Sequence, residues 1–106
     1  MKLLTETIKN KAFEQYKLGA DMEQMVVAKF FSPVGAWTWY LMNIDPTDCD
    51  YCWGVVKGNE VETGSFSLSE LQNLKLPLNL GIERDLSFKP MKAIDVFNKL
   101  KNGEHV

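Results

Sequence analysis

The chain has 106 residues, 45% hydrophobic and 11% aromatic, which suits a single domain over residues 1–106 built around one modest core. A net charge of −2 argues against bulk attraction to duplex nucleic acid, two cysteines are too few for the disulfide scaffold of a small secreted domain, and no apolar run approaches the roughly 18 residues of a membrane span. The opening MKLLTETIKNK turns charged too soon for a signal peptide, so a cytoplasmic protein with no membrane association is expected.

Thr5 can cap a first helix reaching about Lys17, with Ile8, Ala12, Phe13 and Tyr16 at helical spacing and Gly19 to stop it. Residues 25–31, MVVAKFF, read as a strand. Ser32-Pro33-Val34-Gly35 turns the chain into a second strand, AWTWYLMNI, over residues 36–44. An acidic loop from Asp45 to Asp50 leads to a third strand, YCWGVVK, and Gly58-Asn59 forms a tight turn into a fourth, EVETGSFSL. Ser67 and Glu70 have the spacing of a capping box before a short helix over Leu68, Leu71 and Leu74. Residues 81–88, GIERDLSF, alternate as a fifth strand. Pro90 opens a last helix in which Met91, Ile94, Phe97 and Leu100 step by threes before Gly103. The fold class expected is α+β: an antiparallel sheet of four to five strands packed against two longer helices on one face, with a short helical insertion.

Charge is unevenly spread. Residues 89–101 carry four lysines against one aspartate, and residues 43–62 carry five acids against one lysine. A molecule polar from end to end is expected.

Three ordered motifs bear on the family: Trp37-Thr38-Trp39-Tyr40; Gly64-Ser65-Phe66-Ser67-Leu68-Ser69-Glu70-Leu71; and Gly81-Ile82-Glu83-Arg84-Asp85-Leu86 followed by Phe88-Lys89-Pro90. With them the chain resembles, over nearly its whole length, the bacterial domain-of-unknown-function family 2958, short proteins often encoded on conjugative plasmids and integrative elements. The resemblance implies a cytoplasmic protein of a mobile genetic element and carries over no catalytic residue. Cys49-Asp50-Tyr51-Cys52 departs from the acidic and aromatic residues usual there, which weighs against a family-wide role for the thiols.

Arg84, the only arginine, shares its period-two face with Ile82, Leu86 and Phe88, the face a strand turns to its core. A guanidinium placed there needs a carboxylate partner, and Glu60 or Glu62 on the fourth strand can supply one if the fourth and fifth strands lie close. Alternatively, Arg84 lines a concave site and grips an anionic group while Glu83 and Asp85 face solvent. On the second strand Trp37 and Trp39 point one way and Tyr40 the other, so with helices on one face only, some rings must lie near water.

Cys49 and Cys52 run from a loop into a strand, the wrong setting for a redox pair, and the chain has no further cysteine and only His105 to complete a zinc site. They read as two free thiols. Asp45, Asp48 and Asp50 can converge on a hard cation but lack the spacing of a calcium loop, and a solvated loop is the favoured reading. No cofactor, metal or catalytic residue is assigned.

The preferred function is an accessory or interaction protein that binds a protein partner or itself through the aromatic sheet face, with Trp37, Trp39, Tyr40, Glu83, Arg84 and Asp85 as binding residues. The alternative is a single-stranded nucleic-acid-binding protein, with rings stacking on bases and the C-terminal lysines holding phosphates. An enzyme working through Glu83, Arg84 and Asp85 is less favoured than either.

Overall fold

The computed structural model describes residues 2–106; Met1, part of the expected domain, lies outside the described residues. Helix α1 (Glu6–Gln15) starts where the Thr5 hydroxyl accepts from the Ile8 amide at 3.1 Å, and a single 3₁₀ turn (Tyr16–Leu18) carries it to Gly19, which has φ +55°. The strands are β1 (Met25–Val26), β2 (Ala28–Phe31), β3 (Thr38–Asp45), β4 (Asp48–Lys57) and β5 (Val61–Ser67), followed by helix α2 (Leu68–Asn73). After a turn at Pro77–Asn79 come β6 (Glu83–Arg84), β7 (Met91–Lys92) and helix α3 (Ala93–Lys101).

The main sheet is antiparallel with strand order β5-β4-β3-β2-β6, and β1 and β7 pair separately. The fold class is therefore α+β, with a five-stranded antiparallel sheet, two longer helices and a short helical segment. No helix among the described residues is long and apolar enough to cross a membrane.

The helices do not share a face. Ile8 and Ala12 of α1 pack with Phe30, Leu41, Ile44 and Cys52, whereas Ala93, Val96 and Leu100 of α3 pack with Tyr40, Met42 and Val55. Tyr40 and Leu41 are neighbours on one strand and point to opposite faces, so the sheet is covered on both sides. This corrects the one-face expectation, and it explains why β3 is apolar in both registers: both registers meet a helix.

A bulge in β3 pairs Leu41 with Gly54 and Asn43 with Trp53, leaving Met42 as the extra residue. Gln15, buried at the end of α1, donates to the carbonyls of Met25 and Met42, at 2.8 and 2.7 Å, and accepts from the Met25 amide. The last helix begins three residues later than Pro90. Met91 and Lys92 pair with β1, and the first amides of α3, at Ala93 and Ile94, donate to the carbonyls of Gln24 and Met22. Backbone oxygens thus do the work of an N-cap side chain. At its other end Gly103, with φ +79°, and Glu104 donate to Leu100 and Lys99 in a Schellman motif that turns residues 104–106 back toward the sheet.

Candidate functional site around Lys29, Tyr40 and Asp85

The octapeptide at residues 81–88 is a strand for only two residues, Glu83 and Arg84, which pair with Phe31 and Phe30 of β2. Asp85 then ends the strand: its carboxylate accepts from the Ser87 amide and its carbonyl from the Phe88 amide, and the turn leaves Leu86 74% exposed rather than on a core face.

Arg84, half-buried, donates through one guanidinium nitrogen to the main-chain oxygens of Lys2 and Leu3, at 3.0 and 2.8 Å. The expected partners are elsewhere. Glu62 belongs to β5 and Glu60 to the turn before it, at one edge of the sheet, while β6 forms the other edge. Four strand spacings, about 19 Å, separate the two edges. The proximity of the fourth and fifth strands, on which that pairing depended, does not hold in this strand order.

Asp85 does not face open solvent as expected. Its carboxylate lies 3.5 Å from the ammonium of Lys29, a residue left only 7% exposed. Lys29 sits opposite Tyr40 in the β2–β3 ladder, its ammonium 5.9 Å from the centre of the Tyr40 ring. The Lys29 ammonium and the Tyr40 hydroxyl both donate to the main-chain oxygen of Val106, at 2.6 and 3.1 Å. Burial, helped by the charge of Asp85, pushes the Tyr40 hydroxyl up to about 12, so at neutral pH it stays a donor.

Two clefts open onto this cluster. One, of about 480 Å³, is lined by Lys29, Tyr40, Asp85, Trp37, Lys57 and His105 among others. The second, of about 430 Å³, shares Lys29, Asp85 and His105 and extends to Lys89, Lys99 and Val106. Neither is lined by Glu83 or Arg84, and strand alternation turns Arg84 away from Asp85. These two clefts therefore do not bring Glu83, Arg84 and Asp85 together.

The three aromatic candidates separate by depth. Tyr40 is 2% exposed and belongs to the core under α3; Trp39 is half-buried against the α1 cluster; Trp37, just before β3, is 47% exposed. Trp37 stacks on Trp39, with ring centres 6.2 Å apart and planes 27° from parallel, and its far edge lies against Gly58, where any side chain would collide with the ring. A third cleft, of about 340 Å³, runs along its outer side between Val56, Glu60 and Glu62. Trp37 therefore stands fixed between a mixed-charge cleft and an acidic one.

The acidic segment is a tight hairpin rather than a loop, because β4 begins at Asp48. Asp45 holds its own turn by accepting from the amide and hydroxyl of Thr47, bonds that lower its pKa. Asp50 reaches across to accept from the Ser67 hydroxyl and the Ser69 amide at the start of α2, both at 2.6 Å, and is likewise held below the usual carboxylate range. Both cysteines are free and lie three residues apart on one strand, across the irregularity where β4 carries extra residues relative to β3. Cys49 is exposed; Cys52 is buried, which pushes its thiol up to about 12.

Lys29 is the functional candidate that sequence reasoning missed, although the signal was the same one that singled out Arg84: a lone charge inside an apolar strand, here Val26-Val27-Ala28-Lys29-Phe30-Phe31. No curated protein and no solved structure matches the chain. Residues 2–104 match the model of the family described as "Protein of unknown function (DUF2958)", and the chain belongs to that family.

Proposed function

We propose that this chain is a small accessory protein of a mobile genetic element, acting in the cytoplasm, that binds a protein partner or a second copy of itself through the face around Trp37. The exposed, immobilised ring of Trp37 carries the reading: wedged between Trp39 and Gly58, it presents a large apolar surface that loses little rotamer freedom on contact. Clefts on both of its sides can receive side chains of a partner.

Sedimentation velocity across a wide concentration range measures self-association, and recovery of a partner from the native host measures hetero-association, each for wild type and Trp37→Ala. A hot-spot tryptophan predicts a loss of about 2 kcal/mol, roughly thirtyfold in affinity. An interaction that Trp37→Ala leaves unmoved, or no interaction of either kind, ends this reading.

One observation favours the single-strand nucleic-acid reading: the cleft beside Trp37 shares Lys29 and His105 with the cleft lined by Lys89 and Lys99, so ring and lysines border connected ground. Glu60 and Glu62 on the outer side of the ring weigh against it. Titration with a labelled oligothymidylate at low and moderate salt decides, and an absence of binding at low salt removes this reading.

A further inference from the structure

β5 is the outer strand of the sheet, and β4 is its only strand partner. Its seven residues pair with β4 in unbroken register, and Glu62, Thr63 and Ser65 are exposed. Folded proteins blunt such an edge with lysine, proline, a bulge or a very short strand. The opposite edge does so: β6 pairs over two residues and ends in the Asp85 turn. β5 has none of these devices, and its one charge is Glu62. At its centre Gly64 has no positive φ and only open space where a Cβ would stand, so packing within the chain does not demand a glycine there; a strand glycine of this kind lets a second backbone approach closely.

The acidic cleft beside Trp37 opens at the start of this edge. It holds about 340 Å³ between the exposed ring, Val56, Glu60 and Glu62. No basic residue lines it, because Lys57 lines the cleft on the other side of the ring. Among the described residues no salt bridge engages either glutamate. Two carboxylates beside an aromatic ring complement a guanidinium or an ammonium. Trp39, Val56 and Glu62 stand in one row of the ladder, and a residue paired with Glu62 from outside continues that row on the face of the cleft.

We propose that the outer edge of β5 takes an extended segment of a protein partner as a sixth strand, with a lysine or arginine of that segment seated between Trp37, Glu60 and Glu62. This rests on the partner-binding reading above and names the chemistry of the partner: an extended, basic segment recognised through its main chain. Main-chain bonds to β5 supply affinity and register, and the cleft selects the charge. The paired position lies one strand spacing, about 5 Å, outside Glu62 and about 10 Å from Val56, so only a long side chain reaches the cleft.

The test titrates the full chain with the blocked peptide acetyl-Thr-Val-Arg-Val-Thr-amide and with the same peptide carrying neutral citrulline in place of arginine. The readouts are the amide resonances of residues 61–67 and the Trp37 indole resonance. The arginine peptide is expected to shift both, half-saturating about tenfold below the citrulline peptide, the equivalent of ~1.4 kcal/mol. Glu60→Gln and Glu62→Gln, both at exposed positions, should leave the chain folded and each narrow that ratio. N-methylation of the arginine peptide at one set of alternate residues should abolish binding, and at the other set leave it, because only alternate amides of an added strand face its neighbour. No shift of the β5 amides, equal arginine and citrulline curves, or indifference to both N-methylated sets overturns the proposal. Shifts of the β5 amides that follow protein concentration and ignore the peptide assign the edge to a second copy of the chain and overturn it too. A failed titration beside an intact Trp37 dependence of partner binding removes the β5 receptor alone; an intact titration without that dependence removes the Trp37 reading alone.

Discussion

The Gln15 side-chain amide lies 2.7 Å from the carbonyl oxygen of Met42, the residue that the β3 bulge removes from the ladder. A bulge leaves polar backbone groups without cross-strand partners, and a buried carbonyl in that condition costs free energy unless something else donates to it. Gln15 does so for Met42 and for Met25 at once, joining α1 to β1 and β3. Gln15→Leu keeps similar bulk and leaves those oxygens unsatisfied, and should lower stability by about 2–3 kcal/mol. Urea denaturation checks this: the midpoint should fall while the slope stays that of wild type.

Arg84 fastens the segment around Lys2 and Leu3 to the edge strand, so its removal should be felt there first. Arg84→Met is expected to cost about 1–3 kcal/mol and to speed amide exchange at Leu3 and Leu4, both buried in wild type. Glu62→Gln, across the sheet, should change stability by no more than ~0.5 kcal/mol. Equal losses from the two substitutions would restore the carboxylate pairing that the strand order argues against.

The first four strand runs, the Thr5 cap, the Ser67 cap and the Gly103 stop are readable because each is a local rule, satisfied within a few residues of where it is written, whereas the alternation of residues 81–88 misleads, since only Glu83 and Arg84 pair. The face covered by α3 was not readable. Nothing in Ile94, Phe97 and Leu100 says which side of a sheet they meet, and that choice depends on β7 pairing with β1 far back in the chain. Arg84 is a charge in need of partners, and chain order points to the preceding strand for them, whereas β6 adds to the edge of β2 and the guanidinium reaches main-chain oxygens of Lys2 and Leu3. The Lys29 site depends on the return of residues 104–106, a contact across 77 positions that no local pattern encodes.

Gly54 stands opposite Leu41 at the start of the bulge, and an added Cβ there would collide with the main-chain oxygen of Tyr40. Backbone cannot swing aside as a side-chain tip can, so Gly54→Ala should destabilise by about 3 kcal/mol or more and loosen the pairing of β3 with β4. Gly64→Ala, its cross-strand neighbour on β5 with open space around the new methyl, should be tolerated within ~1 kcal/mol. Paired melting curves of the two alanine variants make the comparison, and equal midpoints would show that the β3 backbone yields at the bulge.

Cys49 and Cys52 should behave as unrelated thiols. With Cys49 exposed and Cys52 buried, a disulfide-exchange reagent at neutral pH should modify one thiol per native chain quickly and the second only as fast as the protein opens. The alkaline behaviour follows from the same burial. The folded-state values of Cys52 and Tyr40 both rise to about 12, from 9.0 and 10.0. As pH climbs past 9 the unfolded chain releases protons that the folded chain retains, so the unfolded state binds fewer protons and stability must fall. The stabilisation is complete below pH 9 and is lost progressively up to about pH 12. Cys52→Ala removes the first part of this decline at the expense of a small cavity, and Tyr40→Phe removes the second. Denaturation midpoints measured from pH 8 upward should therefore converge for wild type and Cys52→Ala as pH rises, and a constant gap between them would mean that the Cys52 thiol ionises as readily folded as unfolded.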